Sequence, residues 1–221
     1  MPKAVIFDVD GTLVDSVDLH ARCWQQAFHE IGRDIPFRDI RAQIGKGGDQ
    51  LIPVFLNKSE RARMQGSLDS RRSALFKADY LPRVKPFPHV RSLFVRLRRD
   101  GHRIVLASSA KSDELAIYKQ IACIDDLIET ETGSADVQRS KPHPDIFQTA
   151  LQRLPAAERG SAIVVGDTPY DAEAAAKAGL QTIGVLSGGF AEQTLRSAGC
   201  IAIYRDVANL LEDYESSPLI E

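Results

Sequence analysis

Six short apolar runs, most of them separated by helical patterns, constrain the fold more than any other feature of this chain. Apolar runs bounded by turn residues are typical of buried strands. Strands that alternate with helices favour a parallel sheet covered by helices on both faces, so the sequence predicts an α/β fold. The predicted strands are residues 4–7, 104–107, 127–128 with their flanks, 162–165, 182–185 and 201–203.

The stretch between the first two predicted strands breaks this alternation, because it holds helical patterns and no convincing strand. Roughly 70 residues of helix are far longer than a usual crossover, so we predict an inserted helical cap over residues 16–86. Residues 1–15 and 87–221 are predicted to form the core. Because the cap leaves directly behind the first strand, it can cover the end of that strand as a lid.

Two carboxylates, Asp8 and Asp10, follow the first predicted strand, and Gly11 and Thr12 come directly after them. In an open α/β sheet, ligands bind just beyond the carboxyl ends of the strands. Two acids crowded at such an end repel each other unless a cation or a proton relieves them. One of them can act as a nucleophile and the other as a proton carrier.

Further polar residues lie near the ends of later strands. Ser108 and Ser109 end the second strand, Asp167 ends the fourth, and Lys141 is held extended by the following Pro142. Clustered carboxylates form a hard-oxygen environment that suits Mg²⁺. Ser108, Ser109 and Lys141 are candidate ligands of phosphoryl oxygens, with the lysine as a point charge. The alternative for Ser109 is the N-cap of the next helix.

In their order along the chain, these motifs resemble those of the haloacid dehalogenase-like hydrolase superfamily, in its phosphatase branch with a helical cap. The motifs are Asp8-Val9-Asp10-Gly11-Thr12, then Ser108, then Lys141, then Gly166-Asp167-Thr168-Pro169-Tyr170-Asp171. The resemblance covers essentially the whole chain and implies a Rossmann-like core with strand order 3-2-1-4-5-6. It also implies a Mg²⁺-dependent phosphatase for a small phosphorylated metabolite such as phosphoglycolate or a sugar phosphate.

The resemblance assigns a role to each motif residue. Asp8 would attack phosphorus and become an aspartyl phosphate, and Asp10 would protonate the leaving oxygen and then activate water. The carboxylates of Asp8 and Asp167, with the backbone carbonyl of Asp10, would bind Mg²⁺. Asp171 would support the metal or Lys141. The alternative for Asp171 is a capping box with Thr168 at the start of a helix.

Two residues of the predicted cap are candidates for substrate selection. His20 corresponds to a histidine that handles substrate in related sugar phosphomutases, and its alternative is a partly packed histidine. Lys46 lies in a glycine-rich loop that resembles the substrate-facing loop of phosphoglycolate phosphatase-like enzymes, where it could meet an anionic substrate. The alternative for this loop is a plain helix connection. The arginines of residues 61–72 are expected to form a solvated helix face.

Other activities remain open at this point. A sugar phosphomutase is the first alternative, although Gly166 stands where such mutases carry an acid and the cap loop has no arginine for a second phosphate. The presence of Asp10 disfavours dehalogenation, and Lys46 is a weak candidate for the Schiff base of phosphonate cleavage. A non-catalytic phospho-acceptor module is a further alternative, but its acceptor aspartate would follow a later strand.

Composition excludes several classes of partner. The net charge of −2 argues against a nucleic-acid binder. No apolar run approaches the ~20 residues that span a bilayer, and no signal peptide is visible. Cys23, Cys123 and Cys200 are scattered and odd in number, which fits reduced thiols in the cytoplasm. We expect a cytoplasmic protein, a monomer, whose partner is its small-molecule substrate.

Overall fold

The computed structural model describes residues 4–220, which form an α/β fold around a six-stranded parallel sheet. The strands in chain order, β1 to β8, are Ala4–Phe7, Val14–Asp15, Lys85–Pro86, Arg103–Ala107, Thr130–Thr132, Ala162–Gly166, Gln181–Val185 and Cys200–Tyr204. The sheet has the order β5-β4-β1-β6-β7-β8. Numbered as in the sequence, this order is 3-2-1-4-5-6, so the predicted topology is confirmed.

Ten α-helices accompany the strands in the described part of the chain. In chain order, α1 to α10 are Val17–Glu30, Phe37–Arg41, Gly48–Phe55, Lys58–Leu75, Val90–Arg99, Ser112–Ile121, Asp145–Arg153, Pro169–Lys177, Glu192–Ser197 and Val207–Glu212. A π-helical turn over Phe76–Tyr80 continues α4. No helix within residues 4–220 has the length and the apolar character needed to cross a membrane.

Strand β1 lies at the centre of the sheet, and its side chains are buried on both faces. Val5 and Phe7 point into one hydrophobic core, where Phe7 packs against Phe94 of α5 at 4.7 Å between ring centroids. Ala4 and Ile6 point into a second core on the opposite face. This double burial explains why the strand reads as an unbroken apolar run.

The third sheet strand was predicted two residues too early. The chain forms a 3-10 turn at Asp125–Leu127, and the strand is β5 at Thr130–Thr132. Strand β5 lies at the edge of the sheet, so a polar Thr-Glu-Thr segment suffices there. The apolar side chains of Leu127 and Ile128 pack against the core from the turn and its exit instead.

The helical segment α1–α4 is joined to the sheet by a short antiparallel pair, in which Val14 of β2 faces Pro86 of β3. This two-residue ladder was not predicted from the sequence. It brings the start and the end of the segment side by side. The segment shares one continuous hydrophobic core with the sheet, to which α1 contributes Trp24 and Phe28.

Candidate active site

Three buried carboxylates meet at the carboxyl ends of β1 and β6. Asp8 follows β1, Asp167 follows β6, and Asp171 lies in the first turn of α8. One oxygen of each lies within 4.8 Å of the others. Thr12 Oγ1 donates a hydrogen bond to Asp167 Oδ1 at 3.0 Å, and the Asp8 amide donates to the Val165 carbonyl of β6 at 2.9 Å. The parallel sheet thus brings together acids that are far apart in the sequence.

Lys141 reaches into this cluster from the loop before α7. Its side chain is 1% exposed, and its ammonium forms an ion pair with Asp8 and another with Asp171 Oδ1 at 2.7 Å. Burial alone would lower the pKa of Lys141, but the carboxylates of Asp171 and Asp8 raise it above its usual value. The lysine is therefore charged, and it neutralises part of the cluster.

When all three acids are ionised, the cluster has an excess of negative charge, because three carboxylates face one ammonium. Burial raises the pKa of Asp8 to about 7, and repulsion from Asp171 and Asp10 adds to the rise against the pull of Lys141. Burial, followed by repulsion from Asp8 and Asp171, also raises the pKa of Asp167 well above its usual value. Within residues 4–220, Asp167 Oδ2 has no hydrogen-bond partner. Buried carboxylates with an unpaired oxygen fit a Mg²⁺ ion.

Two glycines make room for the Asp167 carboxylate. A Cβ at Gly11 or at Gly188 would collide with its Oδ2 atom. Gly11 also has a φ of 83°, a conformation that favours glycine. The Ser187 hydroxyl donates to the Gly11 carbonyl at 2.6 Å and fixes this close approach. Sequence reasoning found Gly11 in the first motif but missed Gly188, which lies in no recognised motif.

The Asp10 carboxylate points away from the acid cluster, toward α1. Its Oδ1 atom accepts hydrogen bonds from Ser16 Oγ at 2.6 Å and lies 2.8 Å from His20 Nε2. Burial raises the pKa of Asp10, but His20 and Ser16 more than offset this effect and lower it to about 2. The two acids of the first motif therefore occupy different environments: the contacts of Asp10 favour its ionised form, and burial favours the protonated form of Asp8.

Ser108 is buried at the end of β4, with its Oγ atom 3.5 Å from Asp10 Oδ2. The same oxygen accepts a hydrogen bond from the Ala110 amide at 3.0 Å and closes a turn. Helix α6 begins only at Ser112, and its N-cap residue is Lys111. The interpretation of Ser109 as the N-cap is wrong, and Ser109 lies in the wall of the cavity beside the site.

Asp171 makes both of the contacts predicted for it, a capping box with Thr168 and an interaction with Lys141. Its Oδ2 atom accepts hydrogen bonds from the Thr168 amide and hydroxyl, which forms a capping box at the start of α8. Its Oδ1 atom faces Lys141. The capping box therefore also orients the carboxylate that holds the lysine.

His20 joins Asp10 to the helical segment. The imidazole is buried, stacks on Phe76 at 4.0 Å between centroids, and approaches Arg72 Nη2 through Nδ1 at 2.5 Å. Arg72 is only 14% exposed and lies over the rings of Phe76 and Trp24. The expectation that the arginines of residues 61–72 are all solvated is wrong for Arg72. The buried aromatic rings that attract this arginine lie elsewhere in the sequence, so helical periodicity could not reveal it.

A cavity of about 410 Å³ lies between the helical segment and the strand ends, within the size range of small-molecule sites. Asp8, Asp10 and His20 line this cavity, and so does the glycine-rich loop with Lys46. This loop touches the loop of Lys141, because the Gly47 amide donates to Ser140 Oγ at 2.9 Å. Of the predicted site residues, five line this cavity: Asp8, Asp10, His20, Lys46 and Ser109. The other four, Ser108, Lys141, Asp167 and Asp171, do not line it but lie close to Asp8 or Asp10.

The fold is a Rossmann-like α/β core with a buried acidic site at the carboxyl ends of its strands. Residues 5–185 match the family model described as haloacid dehalogenase-like hydrolase. The match spans most of the chain, so this protein belongs to the haloacid dehalogenase-like hydrolase family, as its motifs indicated. It is an enzyme, a phosphatase of this family.

Individual relatives agree with this assignment. The phosphoglycolate phosphatase of Rhodospirillum rubrum is 28% identical over 95% of this chain and 90% of its own length. The β-phosphoglucomutase of Bacillus subtilis is 28% identical over 84% of each chain. The crystal structure of a hydrolase from Pseudomonas syringae superimposes with a TM-score of 0.85 at 24% identity, covering 96% of this chain and 98% of that one.

Proposed function

We propose that this protein is a Mg²⁺-dependent phosphatase that hydrolyses a small phosphorylated metabolite through an aspartyl phosphate on Asp8. The observation that carries the proposal is the pairing of Lys141 with Asp8 and Asp171 beside the unpaired oxygen of Asp167, at the end of a cavity of about 410 Å³. A buried acid cluster with excess negative charge is costly unless it binds a cation.

Asp8 is the proposed nucleophile. Its carboxylate attacks phosphorus, and Lys141 with Ser108 holds the phosphoryl oxygens in line for that attack. Asp8, Asp167 and the backbone carbonyl of Asp10 would hold the Mg²⁺ ion. When bound, the ion neutralises negative charge on the phosphoryl group. Two steps through a covalent intermediate replace one difficult step.

Asp10 is the proposed proton carrier. It gives a proton to the leaving oxygen and then accepts one from the water that attacks the aspartyl phosphate. The contacts from Ser16 and His20 hold its carboxylate in a fixed direction, apart from the acid cluster. We propose that His20 thereby also links Asp10 to the substrate-facing wall.

We propose that residues 16–86 act as a cap that selects the substrate, with His20 and Lys46 in its wall. The relatives named phosphoglycolate phosphatase and β-phosphoglucomutase support a small phosphorylated acid or sugar as the substrate. We further propose that the enzyme is a monomer and that it works in the cytoplasm. The cytoplasmic location agrees with the free state of the three cysteines in the described residues.

A sugar phosphomutase is the second candidate, favoured by the relative of that name. One steric contact, at Gly166, argues against phosphomutase activity. A Cβ at Gly166 would lie 2.7 Å from the Cβ and Cγ atoms of Asp171, so an acidic residue does not fit at this position. Hydrolysis therefore explains the site better than phosphoryl return to a second hydroxyl.

Replacement of the nucleophile tests the proposal. Asp8→Asn should abolish Mg²⁺-dependent hydrolysis of p-nitrophenyl phosphate while the circular dichroism spectrum is retained. Asp34→Asn is the matched control, since the Asp34 side chain is 85% exposed and lies outside the cavity. Unchanged turnover by Asp8→Asn would refute the mechanism. If the wild type released only one equivalent of p-nitrophenol and remained as a stable phosphoprotein, it would be a phospho-acceptor module instead.

A further inference from the structure

The cavity wall beyond Asp10 is a continuous line of contacting side chains. Asp10 contacts His20, His20 contacts Arg72, and Arg72 Nη1 lies 4.0 Å from Glu114 Oε1 of α6. If Asp10 protonates the leaving oxygen, as the proposed function states, the rest of the leaving group extends along this wall. The charges on the wall then decide which leaving groups the enzyme accepts.

The charged side chains of this part of the cavity are balanced. Apart from Asp8 and Asp10, the charged lining residues are three cations and three anions. They are Lys46, Arg72, Lys111, Asp49, Asp69 and Glu114. Lys46 Nζ donates to Gln43 Oε1 at 2.6 Å and lies 4.5 Å from the ring centroid of Tyr170. This ammonium is already engaged within the protein.

The remaining cations are engaged as well. Lys111 Nζ, at the N-cap of α6, faces Asp69 Oδ2 of α4 at 3.7 Å. Arg72 is held by His20 and by the aromatic rings beneath it. Among the lining residues that the structure describes, two of the three cations thus face an anion, and the third, Lys46, contacts the neutral side chains of Gln43 and Tyr170.

Glu114 is the one of these acids that is fully buried, with 1% exposure. Its Oε1 atom has no hydrogen-bond partner within the described chain, and neither does Nε of the neighbouring Arg72. Asp49, by contrast, accepts a hydrogen bond from the Ser140 amide at 3.1 Å. A buried carboxylate oxygen with an unmade hydrogen bond in the wall of a substrate cavity is an acceptor that awaits a donor.

We propose that the leaving group is an uncharged, polyhydroxylated alcohol, one of whose hydroxyls donates a hydrogen bond to Glu114 Oε1. A hydroxyl completes the unmade bond without adding charge. A substrate carboxylate or second phosphate placed beside Glu114 would meet the buried negative charge of this residue. Glu114 is on this account a specificity-determining residue, and the substrates are polyol or sugar phosphates rather than phosphorylated acids.

The wild-type enzyme tests this with two substrates that differ at one group. Glycerol 3-phosphate carries a CH₂OH group where 3-phosphoglycerate carries a carboxylate. We expect kcat/KM to be at least about tenfold higher for glycerol 3-phosphate, since a site built to hydrogen-bond a hydroxyl rejects its analogues strongly. Equal values or a reversed preference would overturn the inference. Absence of Mg²⁺-dependent turnover of p-nitrophenyl phosphate would instead overturn the proposed function, and the inference with it.

Variants of Glu114 and its neighbour separate specificity from structure. Glu114→Gln keeps the shape and removes the charge, and should reduce the preference for glycerol 3-phosphate over 3-phosphoglycerate about tenfold. Asp113→Asn makes the same charge change one residue earlier, at a side chain that is 61% exposed and paired with Lys77, and should leave the preference unchanged. If Glu114→Gln slowed both substrates equally, Glu114 would only position Arg72, and the inference would fail.

Discussion

The two ends of the cavity treat charge in opposite ways. At the strand ends, Asp8, Asp167 and Asp171 are buried against a single lysine, so the protein leaves negative charge uncompensated. At the wall formed with the helical segment, cations and anions are equal in number, and two of the three cations face an anion. The first end therefore needs a cation, and the second end suits a neutral ligand. Chemistry and selection are assigned to separate surfaces of one cavity.

Removal of one acid from the uncompensated end should have the largest effect. Mg²⁺ should stabilise the wild type, by about 2.7 kcal/mol at a hundred times its dissociation constant. Asp167→Asn should stabilise the metal-free protein, because it relieves repulsion among buried carboxylates, and should abolish both the Mg²⁺-induced rise in Tm and the hydrolysis of p-nitrophenyl phosphate. Thermal melts with and without Mg²⁺ measure this.

The matched change for this test is Asp69→Asn at the balanced end, which should keep the Mg²⁺-induced rise in Tm. An Asp167→Asn protein that still gains stability from Mg²⁺ would show that the ion binds elsewhere.

Replacement of Lys141, the cation that pairs with the carboxylates at the strand ends, should have the second largest effect. Lys141→Met leaves buried carboxylates without their partner and should destabilise the protein by roughly 3–5 kcal/mol, measured by urea unfolding with and without Mg²⁺. Lys119→Met is the control, because this lysine pairs with Glu131 near the surface and should lose about 1 kcal/mol or less. Equal losses of unfolding free energy in the two variants would contradict the account that Lys141 neutralises buried carboxylates.

A change at the contact between the two loops should have the smallest effect. Ser140 Oγ accepts a hydrogen bond from the Gly47 amide and contacts Asp49, and it directly precedes Lys141. Ser140→Ala removes this hydroxyl and should raise KM roughly fivefold, which corresponds to about 1 kcal/mol of binding free energy. Ser187→Ala is a poor control because it touches Gly11, whereas Ser161→Ala changes a hydroxyl far from the cavity. An unchanged KM in Ser140→Ala would show that this contact does not support substrate binding.

The sequence predicted the phosphoryl end of the cavity better than the wall of the helical segment, for a physical reason. Asp8, Ser108 and Asp167 follow apolar runs directly, and parallel strands carry their carboxyl ends to one edge of the sheet. Once the strands are identified, the parallel arrangement of the sheet predicts that these residues lie close together.

The wall depends on packing between distant helices, which no local pattern reports. Arg72 looks like a solvated arginine on a polar helix, and only the rings of Trp24 and Phe76 make it a buried one. Glu114 sits in the first turn of α6, where an acid commonly serves the helix dipole, so its burial was not predictable. Edge strand β5 was misplaced for the related reason that its burial depends on its neighbours.

The direct test of the central assignment is to locate phosphate on the enzyme during turnover. The wild type is mixed with p-nitrophenyl phosphate and Mg²⁺, quenched in acid within the first turnovers, and digested for peptide mass spectrometry. We predict that one phosphoryl group is found on Asp8, and that it is absent from Asp8→Asn and from wild type without Mg²⁺. Turnover without any phosphopeptide, or with phosphate on another residue, would contradict the assignment of Asp8 as the nucleophile.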